Sequence, residues 1–165
     1  MALKKECMKR ILNIITGLAV LVSAAVSCQK EDSVDNTIDP KVIGEWHLTG
    51  ARAEGGSIYT NIDIYLCINA DSSFELYQKS GSQEFRYDLH TGTCYTQNGV
   101  LTGVYSDGVP WGGKYVYTKI TNGIILKTTN DIEVQRYISC QIPVEIKANA
   151  NPRTKSADSA LSPIL

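Results

Sequence analysis

The sequence predicts an all-β fold: an eight-stranded, up-and-down antiparallel barrel with a short C-terminal helix or coil tail. Apolar and polar residues alternate with a period of two, most regularly over residues 62–69, which is typical of a half-buried strand. Turn-forming stretches separate the strand-like segments, and residues 42–141 show no helical spacing. Eight hairpin-linked strands avoid exposed edges by closing into a barrel. A flattened sandwich is the main structural alternative.

The individual strands are bounded by turn residues. Two Asn-Gly pairs, at 98–99 and 122–123, predict tight hairpins, because these residues accept the positive φ angles of a type I′ turn. Pro143 ends the last strand, and the stretch after it predicts one or two turns of helix. The predicted strands span residues 42–51, 57–69, 74–80, 84–95, 100–106, 114–120, 124–129 and 132–142.

The N-terminal residues have the pattern of a secretory signal. Four basic residues precede an apolar run at 11–26, which is shorter than the roughly 20 residues that a spanning helix needs. The run is apolar on every side, which disfavours a buried amphipathic helix. Residues 25–28, "AVSC", resemble the lipobox of bacterial lipoproteins. That resemblance implies cleavage before Cys28 and acylation of Cys28, and two or more acyl chains anchor a protein stably to a membrane.

The segment after Cys28 extends this resemblance to cellular location. Residues 29–32, "QKED", resemble the export tag of surface-displayed lipoproteins in some Gram-negative bacteria. The resemblance implies an outer-membrane lipoprotein, on the cell surface or in the periplasmic leaflet. The predicted organisation is a signal peptide at 1–27, a lipidated Cys and tether at 28–41, a barrel at 42–142 and a C-terminal tail at 143–165.

Charge and cysteine content restrict the partners. Without residues 1–27 the chain has 12 bases and 16 acids, a net charge of −4, and no basic patch. Nucleic-acid binding is therefore not expected, because phosphate contacts need clustered Lys and Arg. We expect a monomer that is attached to the membrane through the acyl chains on Cys28.

The three other cysteines of the mature chain, Cys67, Cys94 and Cys140, are predicted to be buried apolar residues, with one disulfide among them as the alternative.

Catalytic and metal-binding patterns are sparse in the sequence. There are two histidines, and the motifs Gly-x-Ser-x-Gly, His-Glu-x-x-His and Cys-x-x-Cys do not occur. His47 and His90 are predicted at the surface, because each alternates with a residue expected inside. A zinc site from His90 and Cys94 would have only two ligands, too few for a complete site. We therefore expect no enzyme activity, no metal and no cofactor, with a hydrolase as the least favoured alternative.

Two stretches resemble lipocalins. Gly44 to Trp46, "GEW", is similar to the lipocalin Gly-x-Trp motif, and Arg136 matches the late Arg that lies against that Trp. Residues 99–129 resemble more closely the lipocalin-like domains of bacterial surface lipoproteins, in which a "YSDGTPW" loop lies between two Asn-Gly hairpins. The resemblance implies that Gly44, Trp46 and Arg136 close one end of the barrel. It implies no common activity.

Aromatic residues supply the candidate ligand site; the alternative is that they pack the barrel, because aromatic side chains are favoured in strands. Tyr115 and Tyr117 are predicted to share a face, and Trp111 lies in a turn-rich loop where binding residues often occur. The leading interpretation is non-catalytic binding of a small apolar or glycan-type ligand at the open barrel end. The candidate ligand-binding residues are Tyr105, Asp107, Trp111, Tyr115 and Tyr117. The alternative is an interaction module of an envelope complex, its barrel filled by Phe74, Leu76, Phe85, Tyr87, Val104 and Leu126.

Overall fold

A computed structural model describes residues 37–53, 61–81, 86–155 and 162–165. The predicted signal peptide, Cys28 and the first part of the tether lie outside these residues. The described residues form one short helix, α1, at Val144–Asn149, and nine strands. The strands are β1 Gly44–Arg52, β2 Ile62–Ile68, β3 Ser73–Ser80, β4 Asp88–Gln97, β5 Val100–Tyr105, β6 Tyr115–Ile120, β7 Gly123–Thr128, β8 Val134–Ser139 and β9 Asn151–Pro152.

The first eight strands close into an antiparallel barrel. Each pairs with its neighbour in the chain, and β1 also pairs with β8. The predicted fold class is confirmed, because closure gives each of these eight strands a partner on both sides. The β5–β6 pairing is short, with Val100 opposite Val116 and Leu101 opposite Tyr115. The two-residue β9, which the sequence pattern does not predict, pairs in parallel with the start of β4.

The barrel interior is packed with alternating apolar side chains. Phe74, Leu76 and Leu126 are buried in this core, as predicted. Val104 is wrongly predicted there, since 37% of it is exposed. Tyr87 is also wrongly predicted inside, because it packs in a second apolar cluster on the outer wall. Phe85 lies outside the described residues.

This second cluster lies between the outer wall and α1. It contains Cys67, Tyr77 and Ile142, which are buried although Cys67 and Tyr77 alternate with core residues along β2 and β3. Glu45 binds α1 to the wall, because its carboxylate accepts hydrogen bonds from Lys147 Nζ and from the Ile142 N–H, each at 2.5 Å. Covering the outer wall with a helix allows apolar residues on both faces of the same strands.

The two predicted Asn-Gly hairpins differ in their use of glycine. Asn98 and Gly99 both have positive φ, as a type I′ turn requires. Gly123 instead belongs to β7, opposite Ile138 of β8. A Cβ at Gly123 would lie 2.0 Å from the carbonyl oxygen of Tyr137. Gly123 is therefore needed because the backbones of β7 and β8 lie too close together for a side chain at this position.

Candidate binding site at the open end of the barrel

One end of the barrel is closed by Trp46. Its ring covers Gly44, where φ is +143° and a Cβ would lie 3.2 Å from ring atom Cζ2, so a side chain there would be strained and tightly packed. The indole Nε1 donates a 2.9 Å hydrogen bond to the carbonyl of Val42. The cation over the ring is Lys119, whose Nζ lies 4.3 Å from the ring centroid. The assignment of Arg136 is therefore wrong: Arg136 alternates with buried residues of β8 and is exposed on the outer face.

The last residues of the predicted tether pack against this closed end. The Thr96 N–H donates to the Thr37 carbonyl at 2.9 Å, and the Tyr117 hydroxyl donates to Asp39 Oδ2 at 2.8 Å. Hydrogen bonds from Lys41 and Tyr117 hold the pKa of the Asp39 carboxyl below its usual value. Tyr117 therefore belongs to the closed end, and its assignment to a ligand site at the open end is wrong.

Trp111, predicted as a ligand-binding residue on a loop, is buried. The loop folds back on β5, with the Trp111 N–H bonded to the Gly103 carbonyl at 2.9 Å. The side chain is 6% exposed and packs edge-on against Phe74, at a centroid distance of 5.1 Å. A Cβ at Gly103 would lie 2.6 Å from the indole, so the glycine makes room for the ring. Asp107 is exposed, and its carboxylate accepts from the Val109 N–H within the turn.

Tyr105 and Tyr115 do lie at the open end, but both are buried. The Tyr105 hydroxyl donates to the Leu165 carbonyl at 2.8 Å, and the Tyr115 hydroxyl donates to the Ile164 carbonyl at 3.2 Å. Burial raises the pKa of Tyr105, so its hydroxyl remains a proton donor at neutral pH. These two tyrosines therefore hold another part of the chain.

That part is residues 162–165, which occupy the open end. The Gly112 N–H donates to the Leu165 carbonyl at 3.0 Å. Leu165 is 2% exposed and belongs to the barrel core. The end of the predicted tail is therefore seated in the barrel. We call the open end the mouth; the groups that bind residues 162–165 are Gln78, Tyr105, Gly112, Tyr115 and Gln135.

The two glutamines of the mouth are fully buried polar residues. Gln78 bonds to this segment through both amide atoms: Nε2 donates to the Ser162 carbonyl at 3.2 Å, and Oε1 accepts from the Ile164 N–H at 3.3 Å. Gln135 Nε2 donates to the Ile164 carbonyl at 3.3 Å, and also to Glu133. A buried amide is stable only when it is hydrogen-bonded, and residues 162–165 supply part of that bonding.

A cavity of about 340 Å³ lies beside the seated segment. The barrel contributes apolar side chains and a few polar groups, and residues 162–165 form the rest of the lining. Its volume is at the lower end of the 300–1,000 Å³ range of ligand pockets. Of the predicted ligand residues, Tyr115 alone lines it, together with Ile62, Ile64, Gly112, Gly113, Thr128, Glu133 and residues 162–165.

His90 is buried inside the barrel, which corrects its predicted surface position. It is 2% exposed, its ring lies edge-on to Tyr105, and its Nε2 has no partner among the described residues. Burial lowers its pKa below 6.5, against the opposing effect of the nearby Asp88 carboxylate. Asp88 is also buried, and is paired with Arg153 Nη2 at 2.6 Å. The neighbouring Leu89 instead packs outside, in the cluster beside α1.

A polar group on the outer wall was not foreseen from the sequence. His47 Nε2 lies 2.8 Å from Asp63 Oδ1, and the ring of His47 stacks on Tyr65 at 4.4 Å. The Tyr87 hydroxyl donates to the other carboxylate oxygen of Asp63. The predicted outward position of His47 is confirmed. Three of these groups lie on β1 and β2, and they hold Tyr87 against the wall.

The described thiols are poorly suited to nucleophilic or metal chemistry. Cys67, Cys94 and Cys140 are free, and the first two are buried as predicted, whereas Cys140 is half-buried. Burial raises the pKa of Cys67 to about 11 and that of Cys94 to about 12, so both stay protonated at neutral pH. Among the described residues, no group of three or more His, Cys, Asp or Glu side chains could hold a metal ion.

Sequence reasoning missed the two glutamines and the seated segment. Gln78 and Gln135 do occupy inward positions in the alternation of β3 and β8, where a polar residue is unexpected. A polar residue at an inward strand position was therefore the available signal. Nothing in the pattern of residues 162–165 indicates that they lie inside the barrel.

Comparison with known proteins adds one structural likeness. No family model matches the sequence, and no curated protein matches it either. A crystal structure of the lipoprotein YedD from Klebsiella pneumoniae is similar to 72% of this chain and 88% of its own, with 14% identity and a TM-score of 0.43. The barrel assignment therefore rests on the strand pairing itself. In the part of the chain that the structure describes, no helix has the length and apolarity to cross a membrane.

Proposed function

We propose that this chain is a lipid-anchored, non-catalytic binding protein that takes a small ligand at the mouth of its barrel. The cavity of about 340 Å³ beside residues 162–165 carries the proposal. It combines apolar walls from Ile62 and Ile64 with hydrogen-bonding groups from Tyr115 and Glu133. A few polar groups in an apolar pocket are typical of small-molecule sites.

The ligand in this proposal is apolar or glycan-type. We expect mass spectrometry of the purified chain to identify a co-purifying small molecule at close to one per chain. Ile62→Trp, which places a larger side chain in the cavity, should abolish this association. Ile138→Trp, at an exposed outer position, is the matched control and should retain it. Equal ligand content in the two variants would contradict binding at the mouth.

The anchor in this proposal is Cys28. The lipobox resemblance of residues 25–28 and the tag-like residues 29–32 support an outer-membrane location, on the surface or in the periplasmic leaflet. Cys28→Ala should move the protein from the membrane fraction to the soluble fraction. Cys94→Ala, at a buried core position, is the matched control and should leave the fractionation unchanged. Membrane association of the Cys28→Ala chain would contradict the proposal.

A second candidate function is an interaction module of an envelope complex. Its support is the packed interior, in which Leu66, Leu76, Leu101 and Leu126 are fully buried beneath a mouth that the chain itself occupies. Under this hypothesis, the purified chain carries no small molecule. Instead, it co-purifies from detergent-solubilised membranes with a second protein, and Ile62→Trp does not change that association.

A further inference from the structure

We propose that the mouth is a peptide-binding site, which takes an extended segment with one apolar anchor residue, and that residues 162–165 are its intramolecular occupant. This inference rests on the proposed function, because it takes the same mouth as a binding site; it replaces the apolar or glycan-type ligand with a peptide. Four observations support it. Gln78 pairs with the backbone of residues 162–165, the carbonyls of Ile164 and Leu165 accept hydrogen bonds from the barrel, Leu165 is buried, and the polar groups of the mouth require a ligand that can form hydrogen bonds.

The side-chain amide of Gln78 forms the hydrogen bonds with residues 162–165 that the backbone of a neighbouring strand would form. Its amide donates to the Ser162 carbonyl and accepts from the Ile164 N–H, so it bonds on both sides of Pro163. A residue of an adjacent parallel strand makes the same two-point contact, through its own N–H and C=O, with residues two apart. Pro163 has no N–H, and this pairing requires none from the central residue. Peptides that add to a sheet edge are recognised through such main-chain bonds.

Two successive carbonyls of the segment are also bound. The Ile164 carbonyl accepts from Gln135 Nε2 and the Tyr115 hydroxyl, and the Leu165 carbonyl accepts from the Tyr105 hydroxyl and the Gly112 N–H. The barrel fixes these donors, and each of these four bonds goes to a backbone oxygen. Main-chain recognition of this kind gives affinity for an extended peptide without demanding a particular sequence.

Selectivity comes from one side chain. Leu165 is 2% exposed and packs in the barrel core, whereas Ser162 is exposed and Pro163 and Ile164 are half-buried. A charged residue at the Leu165 position would have to be desolvated in this core. The site therefore selects an extended segment with an apolar residue at the innermost position.

A purely hydrocarbon ligand fits these groups poorly. If it displaced residues 162–165, the buried Tyr105 hydroxyl would lose its bond to the Leu165 carbonyl, and Gln78 would lose both bonds to the segment. Leaving a buried donor without its acceptor carries a desolvation penalty. A peptide replaces these acceptors and the one donor in the same geometry, which favours it over a fatty acid.

Intramolecular occupancy predicts competition. A segment on the same chain competes with any external peptide, and the apparent dissociation constant rises as the open fraction falls. Leu165→Asp should vacate the mouth of the full chain. The probe is the peptide acetyl-Ser-Pro-Ile-Leu-amide. Its binding to the chain in detergent is measured by titration calorimetry. We expect saturable binding to Leu165→Asp, and binding to the unmodified chain that is weaker by about tenfold or more, as for a mouth roughly 90% occupied.

Two controls and one substitute variant complete this experiment. Val144→Asp places the same charge on α1, where Val144 is 77% exposed, and should bind like the unmodified chain. The peptide acetyl-Ser-Pro-Ile-Asp-amide should not bind Leu165→Asp. If circular dichroism shows that Leu165→Asp is unfolded, Leu165→Ala replaces it, since this change weakens the anchor without adding a charge.

The remaining outcomes separate this inference from the proposed function. If a long-chain fatty acid or an oligosaccharide binds the vacated mouth and the peptide does not, the peptide inference fails and the proposed function stands. Equal peptide affinity for the unmodified and Leu165→Asp chains would place binding elsewhere and overturn the inference. If none of these probes binds and no small molecule co-purifies, both proposals fail.

Discussion

The two ends of the barrel are closed by different means. At one end, Trp46 covers Gly44 and bonds to Val42, four residues earlier in the chain. At the other end, Gln78 and Tyr105 bind residues 162–165, which lie 60 to 86 positions away in sequence. The first closure is local and rests on one large aromatic ring. The second is non-local and rests on hydrogen bonds to backbone atoms.

This difference separates a permanent closure from a reversible one. Trp46 lies within β1 and cannot leave without breaking the strand pairing around it. Residues 162–165 belong to no strand or helix, so they can leave the mouth while the eight strands remain paired. Segments held by few contacts open with less free energy than core strands. Damage to the closed end should therefore affect the whole fold, and damage to the mouth should affect mainly its occupancy.

The largest expected effect is that of Trp46→Ala. Removing a buried ring that no other group can replace should lower the free energy of unfolding by about 3–5 kcal/mol. Urea unfolding followed by circular dichroism measures this loss. A loss below about 1 kcal/mol would contradict the role of Trp46 as the residue that closes the barrel.

Leu165→Ala should have a smaller effect. The side chain is buried as deeply as core residues, but the segment can withdraw instead of leaving a void, so we expect a loss of about 2 kcal/mol, at the low end for Leu→Ala. The same urea experiment applies, and hydrogen exchange at the Gly112 amide should accelerate. A loss equal to that of Trp46→Ala would break the distinction between the two ends.

Lowering the pH should reduce the stability of the fold through His90, which lies on the mouth side of the barrel. Its pKa in the folded state is below 6.5, so the unfolded chain takes up the proton first, and stability falls as the pH drops below about 6.5. Asp88 and Asp107 oppose this shift, whereas burial and Arg153 favour it. His90→Leu should make the decrease in stability between pH 6.5 and 5 shallower, as measured by urea midpoints at each pH. An unchanged slope would contradict a protonation penalty at His90.

The smallest effect is expected at the closed end, where Lys119 lies over Trp46. Lys119 is exposed, and a cation–π contact at an exposed site contributes about 0.5–1 kcal/mol, so Lys119→Ala should lose about that amount. Arg136→Ala, on the outer face, is the matched control and should change stability by less than about 0.5 kcal/mol. A larger loss of stability for Arg136→Ala than for Lys119→Ala would instead indicate that Arg136 is the cation that packs against Trp46.

The barrel was predictable because its signals are local. Alternation and turn residues define each strand, and eight strands in succession leave closure as the simplest arrangement. The faces of β4 were predicted wrongly, because Leu89 packs outside beneath α1 and leaves His90 inside. Periodicity shows that two faces differ, but it does not show which one meets the core when both are covered.

The candidate site was only partly predictable. Tyr105 and Tyr115 were placed correctly at the open end, but as an open aromatic surface instead of buried donors. Trp111 lies on the predicted loop, but loop composition gives no information on whether a loop folds inward; Tyr117, on β6, lies at the opposite end of the barrel from the mouth. The occupancy of the mouth by residues 162–165 depends on contacts between distant parts of the chain, and no short-range pattern encodes them.

The short β5–β6 pairing has a mechanical consequence. Only two residue pairs hold these strands together, which makes this the weakest joint in the wall. Residues 164 and 165 bind Tyr105 on one side of the joint, Tyr115 on the other and Gly112 between them, so they act as a stitch across it. When the segment leaves, the joint loses its clamp at the moment the mouth empties. Emptying the mouth therefore removes the bonds that span this joint, while the two residue pairs between β5 and β6 remain.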